Sequence, residues 1–167
     1  MINTERLTIK PLTHNQLLKY IENNHSLEAE LGLSETIRTI SPELKYALEQ
    51  TILLQVADAS KNYLYSTLWT VISKAENKMV GDLCFIGEPN NRGEIEIGYG
   101  TYDEFQRKGF MTEAVGGMIE WAKQQPNVKA ITASTDKTNV ASYSVLLKNK
   151  FNKIGETDEL YNWSLIL

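Results

Sequence analysis

A single cysteine, Cys84, in 167 residues cannot close an internal disulfide, so the chain is no disulfide scaffold and is expected in a reducing, cytoplasmic compartment. The two histidines, His14 and His25, are isolated, and no spacing of His, Cys or acidic residues suits a metal site. No apolar run approaches the roughly 18 residues that span a bilayer, which excludes a membrane span. The stretch Met1–Leu7 carries Glu5 and Arg6 and lacks the apolar core of a secretory leader. Basic charge is scarce as well. Against 21 Asp and Glu there are 17 Lys and Arg, a formal net charge of −4, so the sequence carries no footprint for nucleic acid. With four prolines, no repeat and no low-complexity segment, nothing divides the chain, and residues 1–167 are expected to form one domain. The 42% hydrophobic and 23% charged fractions are ordinary for a globular protein of a size that can bury a core.

Alternation of Leu7 and Ile9 with Thr8 and Lys10 predicts a short strand that Pro11 ends. Leu17, Leu18 and Ile21 then fall at helical spacing over His14–Asn24. Ser41-Pro42-Glu43 reads as an N-cap followed by proline at the first helical position, which predicts a helix over 42–59. Tyr63–Ser73 and Met79–Gly87, rich in β-branched and aromatic residues, flank the polar turn Lys74–Lys78 and predict a hairpin. After a second turn, Glu94–Gly100 alternates, with Ile95, Ile97 and Tyr99 on one face and Glu94 and Glu96 on the other. A helix over 109–124, a strand over 130–135, a helix over 139–150 opened by Asn139, and a strand over 161–167 complete the order. The pattern is that of an α/β or α+β domain with a mixed sheet. Gly116-Gly117 inside a helix predicts close packing on that sheet, and Trp69, Trp121 and Trp163 read as core or cleft residues. Cys84, in an apolar strand, reads as a small hydrophobe rather than a nucleophile.

The most informative stretch is Phe105-Gln106-Arg107-Lys108-Gly109-Phe110-Met111-Thr112, between a strand and an amphipathic helix. The first N–H groups of a helix have no partners within it, and with the macrodipole they form an anion site. Gly109 lets a phosphate approach the backbone. Arg107 and Lys108 oppose the helix dipole, a conflict that an anionic ligand removes; the alternative is a solvated basic turn. No Walker loop is present, and Gly98-Tyr99-Gly100 supplies only two glycines of a dinucleotide fingerprint.

This stretch resembles the acyl-CoA pyrophosphate loop of the GNAT N-acetyltransferases, whose Gln/Arg-x-x-Gly-x-Gly/Ala signature is matched at Gln106 and Gly109, with Met111 where the family has a small residue. Thr4–Leu12 is similar to the opening strand of the RimJ/RimL-like branch, Glu96–Tyr99 followed by Gly109–Ala114 to its central strand and loop, and Asn139–Ser142 through Leu146–Phe151 to its second conserved helix. The resemblance implies a mixed sheet of six or seven strands, splayed beside its central strand and flanked by about four helices. Acetyl-CoA would be the co-substrate. Backbone groups of Tyr99 and Thr101 would bind the pantetheine amides, and Gln106 with the amides of Arg107, Lys108, Gly109, Phe110, Met111 and Thr112 would cradle the pyrophosphate. Asn139 would contact the cofactor arm.

The implied reaction is attack of a neutral amine on the acetyl thioester, in a ternary complex. It requires a proton acceptor, a donor for the developing oxyanion, and a proton for the leaving thiolate. Glu96, on the strand facing the cleft, is the candidate base, with Glu94 as its substitute. A backbone N–H between Tyr99 and Thr101 is the candidate oxyanion donor. Many GNAT enzymes protonate the thiolate from a tyrosine at the position of Leu146; here Ser142 is the nearest hydroxyl, with Tyr143 second. The expected acceptor is a primary amine, either a small molecule or a protein N-terminus. The alternative is a non-catalytic module of the same fold that binds acyl-CoA and regulates. A homodimer paired through an edge strand such as Tyr161–Leu167 is compatible with the sequence.

Overall fold

Eight strands form one sheet in the order β1-β2-β3-β4-β5-β6-β8-β7 in the computed structural model, which describes residues 1–167. The strands are β1 (Ile2–Asn3), β2 (Leu7–Pro11), β3 (Leu68–Ser73), β4 (Lys78–Phe85), β5 (Glu94–Thr101), β6 (Ala130–Asp136), β7 (Asn152–Glu156) and β8 (Leu160–Ile166). The sheet therefore has eight strands rather than six or seven. The additions are the two-residue β1 and the polar β7, neither of which alternates enough to be read from sequence. At the start of the expected 63–73 strand, Tyr63–Tyr65 instead forms a 3-10 turn capped by the Asn62 side chain, and the strand begins at Leu68.

Five helices flank the sheet. They are α1 (His14–Glu22), α2 (Ser26–Leu31), α3 (42–57), α4 (Phe110–Lys123) and α5 (Val140–Lys148). The two predicted caps form: Ser41 caps α3 with Pro42 in its first turn, and Asn139 accepts from the Ser142 amide at α5. At α1 Thr13 and Gln16 make a reciprocal capping box that sequence reasoning did not single out. The middle of α3, Leu48–Ile52, is a π-helical turn. Helix α2 is six residues long, too short for a helical period to be legible.

Helix α4 packs its apolar face on one side of the sheet in a cluster of 24 buried residues. Of its two glycines only Gly117 permits this approach; Gly116 faces the Asn149 side chain at the end of α5, 3.3 Å from where its Cβ would stand. A Cβ on Gly117 would stand 3.0 Å from Thr4 Cγ2 and 3.1 Å from Ile9 Cδ1. All three tryptophans pack in or against this cluster. Helices α1 to α3 cover the other face over nine buried residues, among them Leu17, Tyr20, Leu48 and Met79. No helix is long and apolar enough to cross a membrane.

Neighbouring strands are antiparallel except β5 and β6, which run parallel and pair only over Glu94–Glu96 with Ala130–Thr132. Beyond Glu96 the two strands diverge, while β5 stays paired with β4 as far as Thr101. Strand β8 lies between β6 and β7, so Tyr161–Leu167 is not the edge that the sequence suggested; β7 is.

Candidate active site

Two cavities of about 620 Å³ each open at this divergence, and Tyr99, Gly100 and Thr101 line both. A Cβ at Gly100 would meet nothing within 4 Å, so the missing side chain leaves open space beside the strand.

The first cavity runs between the end of β5, the loop entering α4 and one face of α5. Of the residues singled out in the sequence, Tyr99, Thr101, Gln106, Arg107, Gly109, Phe110, Met111, Thr112, Asn139 and Ser142 line it. Lys108 does not. Its ammonium lies 3.6 Å from Glu76 and 4.8 Å from the centre of the Phe105 ring. The loop turns through two left-handed residues, Arg107 (φ 63°) and Gly109 (φ 78°). Gly109 is the N-cap of α4, and no side chain caps this end, so the first-turn amides have no protein partner to displace.

The loop is held from the turn between β1 and β2. The Arg6 guanidinium donates to the Lys108 carbonyl (3.0 Å) and to Glu113 Oε2 (2.6 Å), and stacks over Phe110. Glu113 Oε1 accepts from the Thr4 hydroxyl (2.6 Å) and the Arg6 amide (2.8 Å). Burial pushes the Glu113 pKa up, but these bonds outweigh it and hold the carboxyl below its ordinary value. Because the folded-state pKa is depressed, this stabilisation is fully present above the ordinary Glu value and is lost as pH falls through the depressed one. Glu113→Gln is expected to cost about 2 kcal/mol at neutral pH and to reduce the acid sensitivity of melting. Thermal melts across the acid range check this, and indistinguishable melts would refute the clamp.

Tyr99 bridges the divergence. Its hydroxyl donates to the Ser142 carbonyl (2.8 Å) and accepts from the Ser142 hydroxyl (3.3 Å). Burial pushes the Tyr99 pKa up to about 12, against the bond from Ser142. Tyr143 packs between Tyr161 and Trp163 instead of lining the cavity. Leu146 is fully buried. Sequence reasoning missed Lys148, which lines the cavity with Ala141, Ser144 and Val145. Their spacing of three, four and seven residues from Ala141 marks one helix face and was the available signal.

The second cavity lies on the opposite wall of Tyr99–Thr101, under α1 and the segment 37–44, with Cys84, Gly98 and Asp82 on its sheet side. Burial, and then the Asp82 charge, push the Cys84 thiol up to about 11, so it stays protonated at neutral pH. Glu96 shares this strand face with Gly98 and Gly100. It is half-buried beside Cys84 but is not part of the cavity lining. Glu94 opens β5, and its side chain is tied back to the preceding turn, where it accepts from the Asn90 side chain at 2.9 Å.

The sheet is thus split beside its central strand, with an uncapped helix start at one end of the gap and a second chamber behind it. Residues 6–152 match the family model described as an acetyltransferase (GNAT) domain, and the chain belongs to that family of N-acetyltransferases. The Bacillus subtilis protein described as uncharacterized N-acetyltransferase YjdG is 34% identical over 95 residues, 57% of this chain and 56% of that relative. The chain thus spans little more than half of that relative's length. The ribosomal-protein-S5-alanine acetyltransferase of Vibrio fischeri shares the fold with a TM-score of 0.71 at 22% identity, over 98% of this chain and 94% of that one. RimL, a ribosomal L7/L12 α-N-protein acetyltransferase solved in complex with coenzyme A, does so with a TM-score of 0.69 at 17% identity, over 98% and 96%.

Proposed function

We propose that this protein transfers the acetyl group of acetyl-CoA to a primary amine by direct attack in a ternary complex. The observation that carries this reading is the pair of cavities meeting across Tyr99–Thr101. One is suited to the cofactor and the other to the acceptor. The uncapped amides of α4, with Arg107 at their end, fit a pyrophosphate. The unpaired edge of β5 fits the amides of an extended pantetheine arm.

In this reading a backbone N–H of Tyr99–Thr101 steadies the developing oxyanion. Glu96 takes the amine proton through water, since it stands beside rather than inside the acceptor chamber. The Ser142 hydroxyl, which donates to the Tyr99 hydroxyl, turns to pass a proton to the departing thiolate. It is reprotonated from solvent, into which Glu96 discharges the amine proton. Ser142→Ala should lower kcat about tenfold or more and leave acetyl-CoA affinity nearly unchanged. Steady-state kinetics check the split; loss of affinity alone would assign Ser142 to cofactor binding. The acceptor is a small amine or a protein N-terminus. The ribosomal-protein acetylation in the names of the structural relatives supports the latter class.

Calorimetric titration with acetyl-CoA, with free adenine nucleotide as control, tests the cofactor assignment. An amine and peptide screen for turnover follows. No binding at millimolar acetyl-CoA would overturn the reading. Binding without turnover of any amine would favour a regulatory acyl-CoA-binding module, the reading that buried Leu146 in place of a tyrosine supports.

A further inference from the structure

The second cavity contains an acidic side chain that the proposed chemistry does not use, and burial pushes its pKa above the ordinary Asp value against the bonds from Tyr102 and Tyr20 and the Arg38 charge. Asp82 is only 6% exposed. Its Oδ2 accepts from the Tyr20 and Tyr102 hydroxyls, each at 2.6 Å, which fixes the carboxylate from two sides. Its Oδ1 is buried without a hydrogen-bond partner. Thr70 stands opposite in the strand register, and its buried hydroxyl is near enough to lower the Asp82 pKa without standing in hydrogen-bond geometry to it. A buried carboxylate oxygen without a donor is costly, so a site built this way calls for a donor from outside.

The remaining charges indicate which donor. Asp103 and Glu104 line the same cavity and are exposed. The one cationic side chain in the lining, Arg38, is paired with another carboxylate, although its Nε has no hydrogen-bond partner. It donates to Glu28 at 2.6 Å, with both side chains fully buried, and lies over the Tyr20 ring. A ligand carboxylate would meet three acidic groups against one cation, Arg38, whose charge is already shared with Glu28. A ligand cation would meet Asp82 at depth and two further carboxylates on its way in. Leu44, Leu68 and Ile37 supply apolar walls for a short alkyl segment.

We infer that the acceptor is a primary amine bearing a second positive charge, and that Asp82 Oδ1 anchors that second cation. The inference rests on the acetyl-transfer reading for the reacting amine, which lies at Tyr99–Thr101 where the two cavities meet. Asp82 is then a specificity residue. Glu28, Arg38, Tyr20 and Tyr102 position it, and no atom of it takes part in bond making.

Three four-carbon amines test this: diaminobutane, butylamine and γ-aminobutyrate, whose far ends are positive, neutral and negative. Wild-type kcat/KM is expected to follow that order, with diaminobutane favoured over butylamine about tenfold. Asp82→Asn should collapse the preference toward unity, with retained acetyl-CoA binding showing that the variant is folded. If that variant does not fold, Glu104→Gln, an exposed change, should lower the preference about threefold and is read instead. If no amine is turned over, calorimetric affinity of the same three compounds in the presence of coenzyme A is read in the same way. A wild-type preference for butylamine or γ-aminobutyrate overturns the inference, as does a preference that survives the Asp82 substitution. Failure of acetyl-CoA to bind counts against the acetyl-transfer reading alone, because the order of amine affinities is still measurable.

Discussion

Gly109→Glu is expected to weaken acetyl-CoA binding about a hundredfold or more. Three effects act together. Gly109 has φ 78°, where a side chain costs about 1–2 kcal/mol. A Cβ there would stand 3.4 Å from the Arg6 guanidinium that holds the loop. The added carboxylate would lie at the uncapped helix start, where it would satisfy the amides and repel the pyrophosphate. Gly109→Ala separates these effects, since it carries the strain without the charge, and should lose about tenfold. Calorimetry on both variants provides the check. Wild-type affinity in the glutamate variant would remove the pyrophosphate from this loop.

Glu96→Gln is expected to lower kcat about a hundredfold, with acetyl-CoA affinity retained. The isosteric amide keeps the shape and the strand pairing of Glu96 with Thr132 and removes only the ability to accept a proton. The rate should regain ground at alkaline pH, where the amine enters already neutral and needs no base. The pH–rate profile is therefore more telling than the rate at one pH. An unchanged profile excludes Glu96. It would leave bulk water as the acceptor, because Glu94 is tied to Asn90 in the preceding turn.

Features carried by contiguous residues were legible in the sequence. The loop from Gln106 to Thr112, the capped starts at Ser41 and Asn139, and the alternation of β5 each depend on neighbours a few residues apart. What escaped depends on distant residues or weak local pattern. Asp82 reads as one polar residue within an apolar strand, and its partners Tyr20 and Tyr102 lie 62 and 20 positions away. The Tyr99 side chain reaches Ser142, 43 positions on, a contact that only the divergence of β5 from β6 creates. Strand β7 is a short polar segment with Gly155 and a register shift, and it is recognisable only once β8 is beside it. Lys108 shows the converse, because charge in a sequence does not reveal direction. Its backbone belongs to the loop while its ammonium is turned toward Glu76.

The divergence after Glu96 leaves one side of β5 without a peptide partner over 97–101. Under the proposed function the cofactor arm takes this edge, so the chain folds with part of its central hydrogen-bonding ladder left open for it. Stability here is a function of concentration rather than a constant: a ligand that fills the gap at a hundred times its dissociation constant adds about 2.7 kcal/mol to unfolding. Mutations that weaken the ligand-free protein are buffered wherever that ligand is plentiful and exposed wherever it runs low.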